Sequence, residues 1–202
     1  MSPTFQQAGP SDEELLRAML EGDEAAFTAL YRRRHGEIYR FALQMSGSAA
    51  TAEDVTQEVF LTLMREGHKY DTRKGTLRAY LYGIARNKAA RAMRNKKEDC
   101  LEAAKDPSGG TEGPLEAIQR NQEIQAVWEG VLALPPHYRE ALVLCDLHEV
   151  SYEEAAQALG CAVGTVRSRL HRGRQLLAQK LRAQAADDVR AAGIRRARSW
   201  SL

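Results

Sequence analysis

The stretch EDCLEAAKDPSGGTEGPLE, residues 98–116, sets the organisation of the whole chain. It is acidic, it contains Pro-Ser-Gly-Gly and Gly-Pro, and it offers little to bury. Such a composition reads as a flexible linker. On either side apolar residues recur at helical spacing. Phe27, Leu30, Tyr31, Ile38, Phe41 and Leu43 do so in DEAAFTALYRRRHGEIYRFALQM. Val55, Val59, Phe60 and Leu63 follow in TAEDVTQEVFLTLMRE, with Thr51 as the expected N-cap and acids in the first turn. Leu77, Leu81, Ile84, Ala85 and Ala92 follow in GTLRAYLYGIARNKAARAMRNKK. No segment alternates as a strand would. The expected fold is all-α: two small helical domains joined by a flexible linker, the second with a helix-turn-helix. The expected boundaries are an N-terminal extension 1–19, a first domain 20–97, a linker 98–115, a second domain 116–182 and a tail 183–202. The tail's Arg-Arg-x-Arg reads as a solvated end. Pro135 and Pro136 are expected to stop one helix and start the next.

The formal net charge is only +2, but the charge is laid out in blocks. Residues 11–30 carry six acids and one arginine, and residues 98–123 carry seven acids and two bases. Residues 65–97 carry eleven bases and two acids, and residues 163–182 carry six bases and no acid. Two basic blocks separated by acidic ones suggest contact with a polyanion at two places.

The second basic block follows SYEEAAQALGCAVG, and together they have the layout of a helix-turn-helix. Ser151 is a good N-cap with Glu154 three residues on, the signature of a capping box. Gly160 suits the left-handed position that ends a helix. A second helix is expected from Val163. On a helical wheel Val166, Leu170, Gly173 and Leu177 share the inward face. Thr165, Ser168, His171, Arg172 and Gln175 share the outward one, with Arg167 and Arg169 on the flanks. That outward face has hydrogen-bonding groups and positive charge without a carboxylate, as a helix in a DNA major groove requires. An ordinary solvated basic helix would share the charge but not the capped helix and glycine turn before it. By itself the motif says only DNA-binding regulator.

Several classes of function are disfavoured. Cys100, Cys145 and Cys161 suggest neither a disulfide framework nor a Cys-x-x-Cys metal site, and Cys145 in ALVLCDL reads as a core residue. His35, His68, His137, His148 and His171 do not alternate with cysteines at ligand intervals. No phosphate loop or nucleophile constellation is present, so no cofactor, no metal and no catalytic residue is expected. The N-terminus lacks the pattern of a signal peptide, and no apolar run is long enough for membrane insertion. The expected compartment is the cytoplasm.

LPPHYREALVLCDLHEVSYEEAAQALGCAVGTVRSRLHRGRQLL closely resembles region 4 of bacterial extracytoplasmic-function sigma factors, small two-domain members of the sigma-70 family. Leu134-Pro135, Arg139, Glu153-Glu154 and the run Gly164 to Arg172 carry the resemblance. AEDVTQEVFLTLMR, through Asp54, Gln57, Glu58 and Phe60, resembles region 2 of the same family, as does RAYLYGIARNKAARAMRNKK. Tyr80 stands where the family usually has tryptophan, and Arg91 where it commonly has aspartate.

The resemblance implies an RNA polymerase sigma factor that directs promoter-specific initiation at −35 and −10 elements. Its implied partners are promoter DNA and core RNA polymerase, through the β′ clamp helices and the β flap, with an anti-sigma factor as a further regulatory partner. Asp54, Gln57, Glu58 and Leu61 share one side of a helix and would dock on the clamp. Thr165, Arg167, Ser168, Arg169, His171 and Arg172 would bind the −35 element. Lys69, Tyr70, Arg73, Lys74, Arg78, Tyr82, Arg86, Asn87 and Lys88 would serve −10 recognition and melting. There, cations line a channel and tyrosines offer faces on which bases stack. Tyr80 is expected to pack inside. The rival readings are a stand-alone helix-turn-helix transcriptional regulator and a nucleic-acid hydrolase. The docking helix and the basic first domain argue against the first. The second needs carboxylates converging in a basic cleft, whereas the acids here fall mostly in the N-terminal helix and the linker.

Overall fold

A computed structural model describes residues 9–102 and 122–198, and among these every regular element is a helix. The first domain contains α1 (Asp12–Leu20), α2 (Glu24–Ser46), α3 (Ala49–Glu66) and α4 (Leu77–Glu102). Two short 3-10 turns, Gly67–Lys69 and Thr72–Lys74, join α3 to α4. The second domain contains α5 (Gln122–Leu132), α6 (Pro136–Leu142), α7 (Tyr152–Leu159) and α8 (Val163–Arg198). Residues 103–121, most of the expected linker, lie outside the described residues.

The first-domain core is the apolar stripe of α2 against those of α3 and α4. Leu30, Ile38, Phe41, Val59, Leu63, Leu77 and Leu81 are all fully buried. Each such side chain contributes about 1.5–3 kcal/mol by leaving water. In the second domain Leu134, Leu144, Val166 and Leu170 play the same part.

Four expectations need correction. Residues 1–19 are not simply an extension, because Leu15 and Leu16 of α1 enter the core. The buried Asp12 carboxylate takes Arg33 and Arg34 of α2 at 2.8 and 2.6 Å. Ser11 caps α1 in a reciprocal box with Glu14, which accounts for a helix too short to be obvious from its pattern. Second, Ser48 rather than Thr51 is the N-cap of α3, accepting from the Thr51 N–H, and no acid stands in the first turn. Third, α4 continues past residue 97 to Glu102. Fourth, the expected tail is helical as far as Arg198, because α8 does not stop at 182.

Expected turns recur in detail. Pro135 is the N-cap of α6 and Pro136 its first residue. The Ser151 hydroxyl accepts from the Glu154 N–H, and Gly160 ends α7 at φ 62°. Only half of the capping box forms there, since the Ser151 hydroxyl also donates to the Glu154 carboxylate at 3.2 Å. Between α6 and α7, Val143–Leu147 widens into π-type bonding, an insertion that often marks a functional place. It ends at His148, whose N–H donates to the Val143 carbonyl at 3.0 Å.

The two domains are not separate beads. α7 packs along α4, and apolar contacts run unbroken from Leu15 in the first domain to Leu170 in the second.

Candidate nucleic-acid interface

The outward face of α8 stands as its wheel predicts. Val166 and Leu170 are buried, and Gly173 lies where an added Cβ would come 3.2 Å from the Tyr138 carbonyl. Packing this close fixes the rotation of the helix, and so Arg167, Ser168, His171 and Arg172 are exposed together. Thr165 and Arg169 are half-buried at its edge, with Arg169 Nη1 4.0 Å from Cys161 Sγ. Arg167 lies over the Tyr152 ring, 5.6 Å from its centroid, which restrains a long side chain without cancelling its charge. Arg172 donates to Gln175 Oε1 at 3.2 Å. None of these arginines meets a carboxylate among the described residues. The next one does: Arg174 makes two bonds to Asp146, at 2.9 and 2.6 Å.

The first basic block is arranged otherwise. Lys69 pairs with Glu66 at 2.9 Å, and Arg73 forks onto Asp71 at 2.9 Å. Lys88 pairs with Glu58 at 2.7 Å, and Arg78 with Glu37 at 3.2 Å. Arg86 Nε lies 2.9 Å from the buried Glu140 carboxylate, near enough to pair but not aligned for a hydrogen bond. Tyr70 donates to the Gly75 carbonyl at 2.8 Å, which braces the 69–76 loop. Lys74 and Asn87 are exposed. Tyr70, Tyr80 and Asn87 line one wall of a cavity of about 420 Å³. Gln157, Ala158 and Gly160, from α7 and its cap, form the opposite wall.

The tyrosines exchange their expected places. Tyr82 was assigned to base stacking but is fully buried, edge-on to Phe41, with its hydroxyl 2.9 Å from His148 Nδ1. Burial pushes its pKa up to about 12. No base can reach it here. Tyr80, expected inside, is half-buried beside Tyr70 with ring centroids 5.5 Å apart and opens on the cavity. Two positions on a helix differ by about 200°, so only one of the pair can face α2.

On α3, Asp54, Gln57, Glu58 and Leu61 are all exposed, while Val55, Val59 and Phe60 are buried. Met64 extends the same patch and is 54% exposed. The hydrogen bond from Lys88, helped by its charge, holds the Glu58 carboxyl below the usual carboxylate range.

Three residues of this region carry no sequence signal beyond their type. Glu37 and Glu140 neutralise Arg78 and Arg86. His148 sits between Tyr82 and Gln44. Arg139 was noted for its place in a motif. Its guanidinium donates to three main-chain carbonyls, those of Met45 at 2.5 Å, Leu134 at 3.0 Å and Leu132. Burial lowers its pKa. Among the described residues no helix is long and apolar enough to cross a membrane.

The family description Sigma-70 region 2 matches residues 30–98, and Sigma-70, region 4 matches residues 124–177. The chain is 35% identical over 198 residues to ECF RNA polymerase sigma factor SigE of Mycolicibacterium smegmatis, covering 91% of this chain and 74% of that one. It is 30% identical over 180 residues to ECF RNA polymerase sigma factor SigW of Bacillus subtilis, covering 83% and 95%. Among solved structures it resembles the sigma factor RpoE in complex with the anti-sigma factor NepR from Bartonella quintana, with a TM-score of 0.61. There the identity is 24%, over 77% of this chain and 96% of that one, so the likeness is one of fold.

Proposed function

The chain belongs to the ECF RNA polymerase sigma factors, and on that premise we propose how its surfaces divide the work. The outward face of α8 reads the −35 element. Arg172, central and exposed, contacts a base edge, and Thr165, Ser168 and His171 supply further polar contacts. Arg167 and Arg169 on the flanks hold phosphates. The 69–76 loop and α4 serve the −10 element. Lys69, Tyr70, Arg73, Lys74, Arg78, Arg86 and Lys88 provide its charge and loop, and Asn87 borders the pocket for an extruded base. Tyr80 takes the stacking role in place of Tyr82. The protein carries out no catalytic step of its own and acts in the cytoplasm, where core polymerase and promoter DNA are found. The expected domain limits become 11–102 and 122–182 in this reading, with α1 counted in the first. An anti-sigma factor is a further partner, as for the RpoE it resembles in fold.

Asp54, Gln57, Glu58 and Leu61 dock on the β′ clamp helices of core polymerase, and the second domain meets the β flap. The observation that carries this reading is the exposed α3 patch: two carboxylates around Leu61 and Met64 on a helix whose other face is core. Carboxylates repel phosphate, so this patch suits a protein. The test is a pair of titrations of full-length Asp54→Arg/Glu58→Arg, one with core polymerase and one with −35 duplex. Core binding should weaken by several kcal/mol through like-charge contact, whereas −35 binding should match wild type. Undiminished core binding would remove α3 from the interface and favour a stand-alone helix-turn-helix regulator.

A further inference from the structure

The surface that the first domain would turn to −10 DNA is the surface on which the second domain rests. Thr76 donates to Glu154 Oε1 at 2.8 Å, and Arg78 donates to the His148 carbonyl at 3.0 Å. Arg86 faces Glu140, and Tyr82 meets the His148 ring. Two glycines of the first domain lie at this contact. At Gly75 an added Cβ would come 2.0 Å from Gln157 Oε1, and at Gly83 it would come 3.4 Å from the Ala158 carbonyl.

His148 stands at the centre and is 8% exposed. As a neutral imidazole its Nδ1 accepts from the Tyr82 hydroxyl at 2.9 Å, and its Nε2–H donates to Gln44 Oε1 at 2.6 Å. Both ring nitrogens are thereby satisfied by α2 and α4 of the other domain. The contact combines hydrogen bonds and one ion pair with apolar packing. Interfaces of that kind join domains that separate. A weak contact is enough to close it, because the two halves share one chain and meet at high effective concentration.

We propose that His148 latches the second domain over the first, so that the free protein masks its own −10 surface while leaving the outward face of α8 exposed. This rests on reading α4 and the 69–76 loop as the −10 surface. Opening releases Arg78 from the His148 carbonyl and Arg86 from Glu140, and uncovers the cavity wall at Tyr80 and Asn87. A chain that is mostly closed binds its target more weakly in proportion to its open fraction.

The test uses the full-length chain with Gly83→Cys and Ala158→Cys, in a background where Cys100, Cys145 and Cys161 are serine. An added Cβ at Gly83 would lie 3.9 Å from Ala158 Cα, and the two thiols are joined as mixed disulfides to a short bis-methanethiosulfonate spacer that reduction removes. Run-off transcription with core polymerase and a promoter library is measured before and after reduction. The cross-linked form should initiate at least about tenfold less than the reduced form, which serves as its own folding control. Separately, small-angle scattering compares wild type with His148→Ala, and the variant should be the more expanded. Equal initiation by the cross-linked and reduced forms would overturn the latch, as would equal dimensions for wild type and His148→Ala. Failure of the promoter reading itself shows elsewhere, as a wild type inert with core polymerase, and scattering still decides whether the latch exists.

Discussion

α4 with its leading loop and α8 with its turn are both basic, and they differ in what their cations already hold. On α8, Arg167, Arg169 and Arg172 meet no carboxylate among the described residues, and Asp146 takes only Arg174. On the first domain Lys69, Arg73, Arg78, Arg86 and Lys88 each face a carboxylate of the same chain. An exposed pair of this kind is worth little, about 0–1 kcal/mol, and phosphate can displace it. The buried Glu140 beside Arg86 is different, because separating them strands a charge unless the domains part. A count of basic residues therefore does not measure readiness to bind DNA. α8 is presented, and under the proposed latch α4 must first be released.

The largest effect is expected at Arg172. Arg172→Ala should cost about 1–3 kcal/mol on −35 duplex and relax preference at one base position. Competition between cognate and scrambled duplex measures it, and unchanged discrimination would deny α8 its reading role.

Acid should loosen the contact at His148. Burial, with the facing Arg40 and Arg78 and against the partial offset of Glu37, lowers the His148 pKa to about 4. Once exposed, the ring should titrate near its ordinary value of about 6.5. The open form therefore binds more protons between those limits, and closure weakens as pH falls from about 6.5 towards 4, by at most about one log unit per pH unit. Scattering from wild type should show expansion over that window. His148→Ala should not respond there, and an identical response from both would assign the effect to another group.

Asn87→Ala should act only on the released surface. A lost hydrogen bond is worth about 0.5–1.5 kcal/mol, so open-complex formation should slow by about two- to tenfold with core binding intact. Permanganate reactivity of unpaired thymines reads this, and normal bubble formation would take Asn87 out of the pocket. The smallest effect is expected at Arg169, half-buried at the edge of α8. Arg169→Ala should weaken all duplexes alike and lower the salt slope by about one ion. A sequence-dependent loss would make it a reader instead.

The helices and the helix-turn-helix were legible because their signals are local. Gly160, Ser151 and the Val166–Leu170 stripe each fix one feature without help from elsewhere in the chain. The start of α3 was misplaced because Ser48 and Thr51 are both good caps, and which one caps depends on how α2 ends at Gly47. The place of α1 in the core was not legible, because its acids hide the two leucines it buries and its Asp12 is held by distant arginines. The exposed faces of α3 and α8 were legible as faces, since a wheel needs only one helix. The state of α4 and the 69–76 loop was not, because it depends on pairs such as Arg86 with Glu140 and Tyr82 with His148, far apart in sequence. Tyr80 and Tyr82 changed places for the same reason: the deciding neighbours are Phe41 and His148.

The most direct test of the whole account is run-off transcription from a promoter library with core polymerase alone, this protein alone, and the two together. Together they should yield transcripts from a small set of templates sharing −35 and −10 elements, and neither alone should do so. The same unspecific output from core polymerase with and without the protein would contradict it.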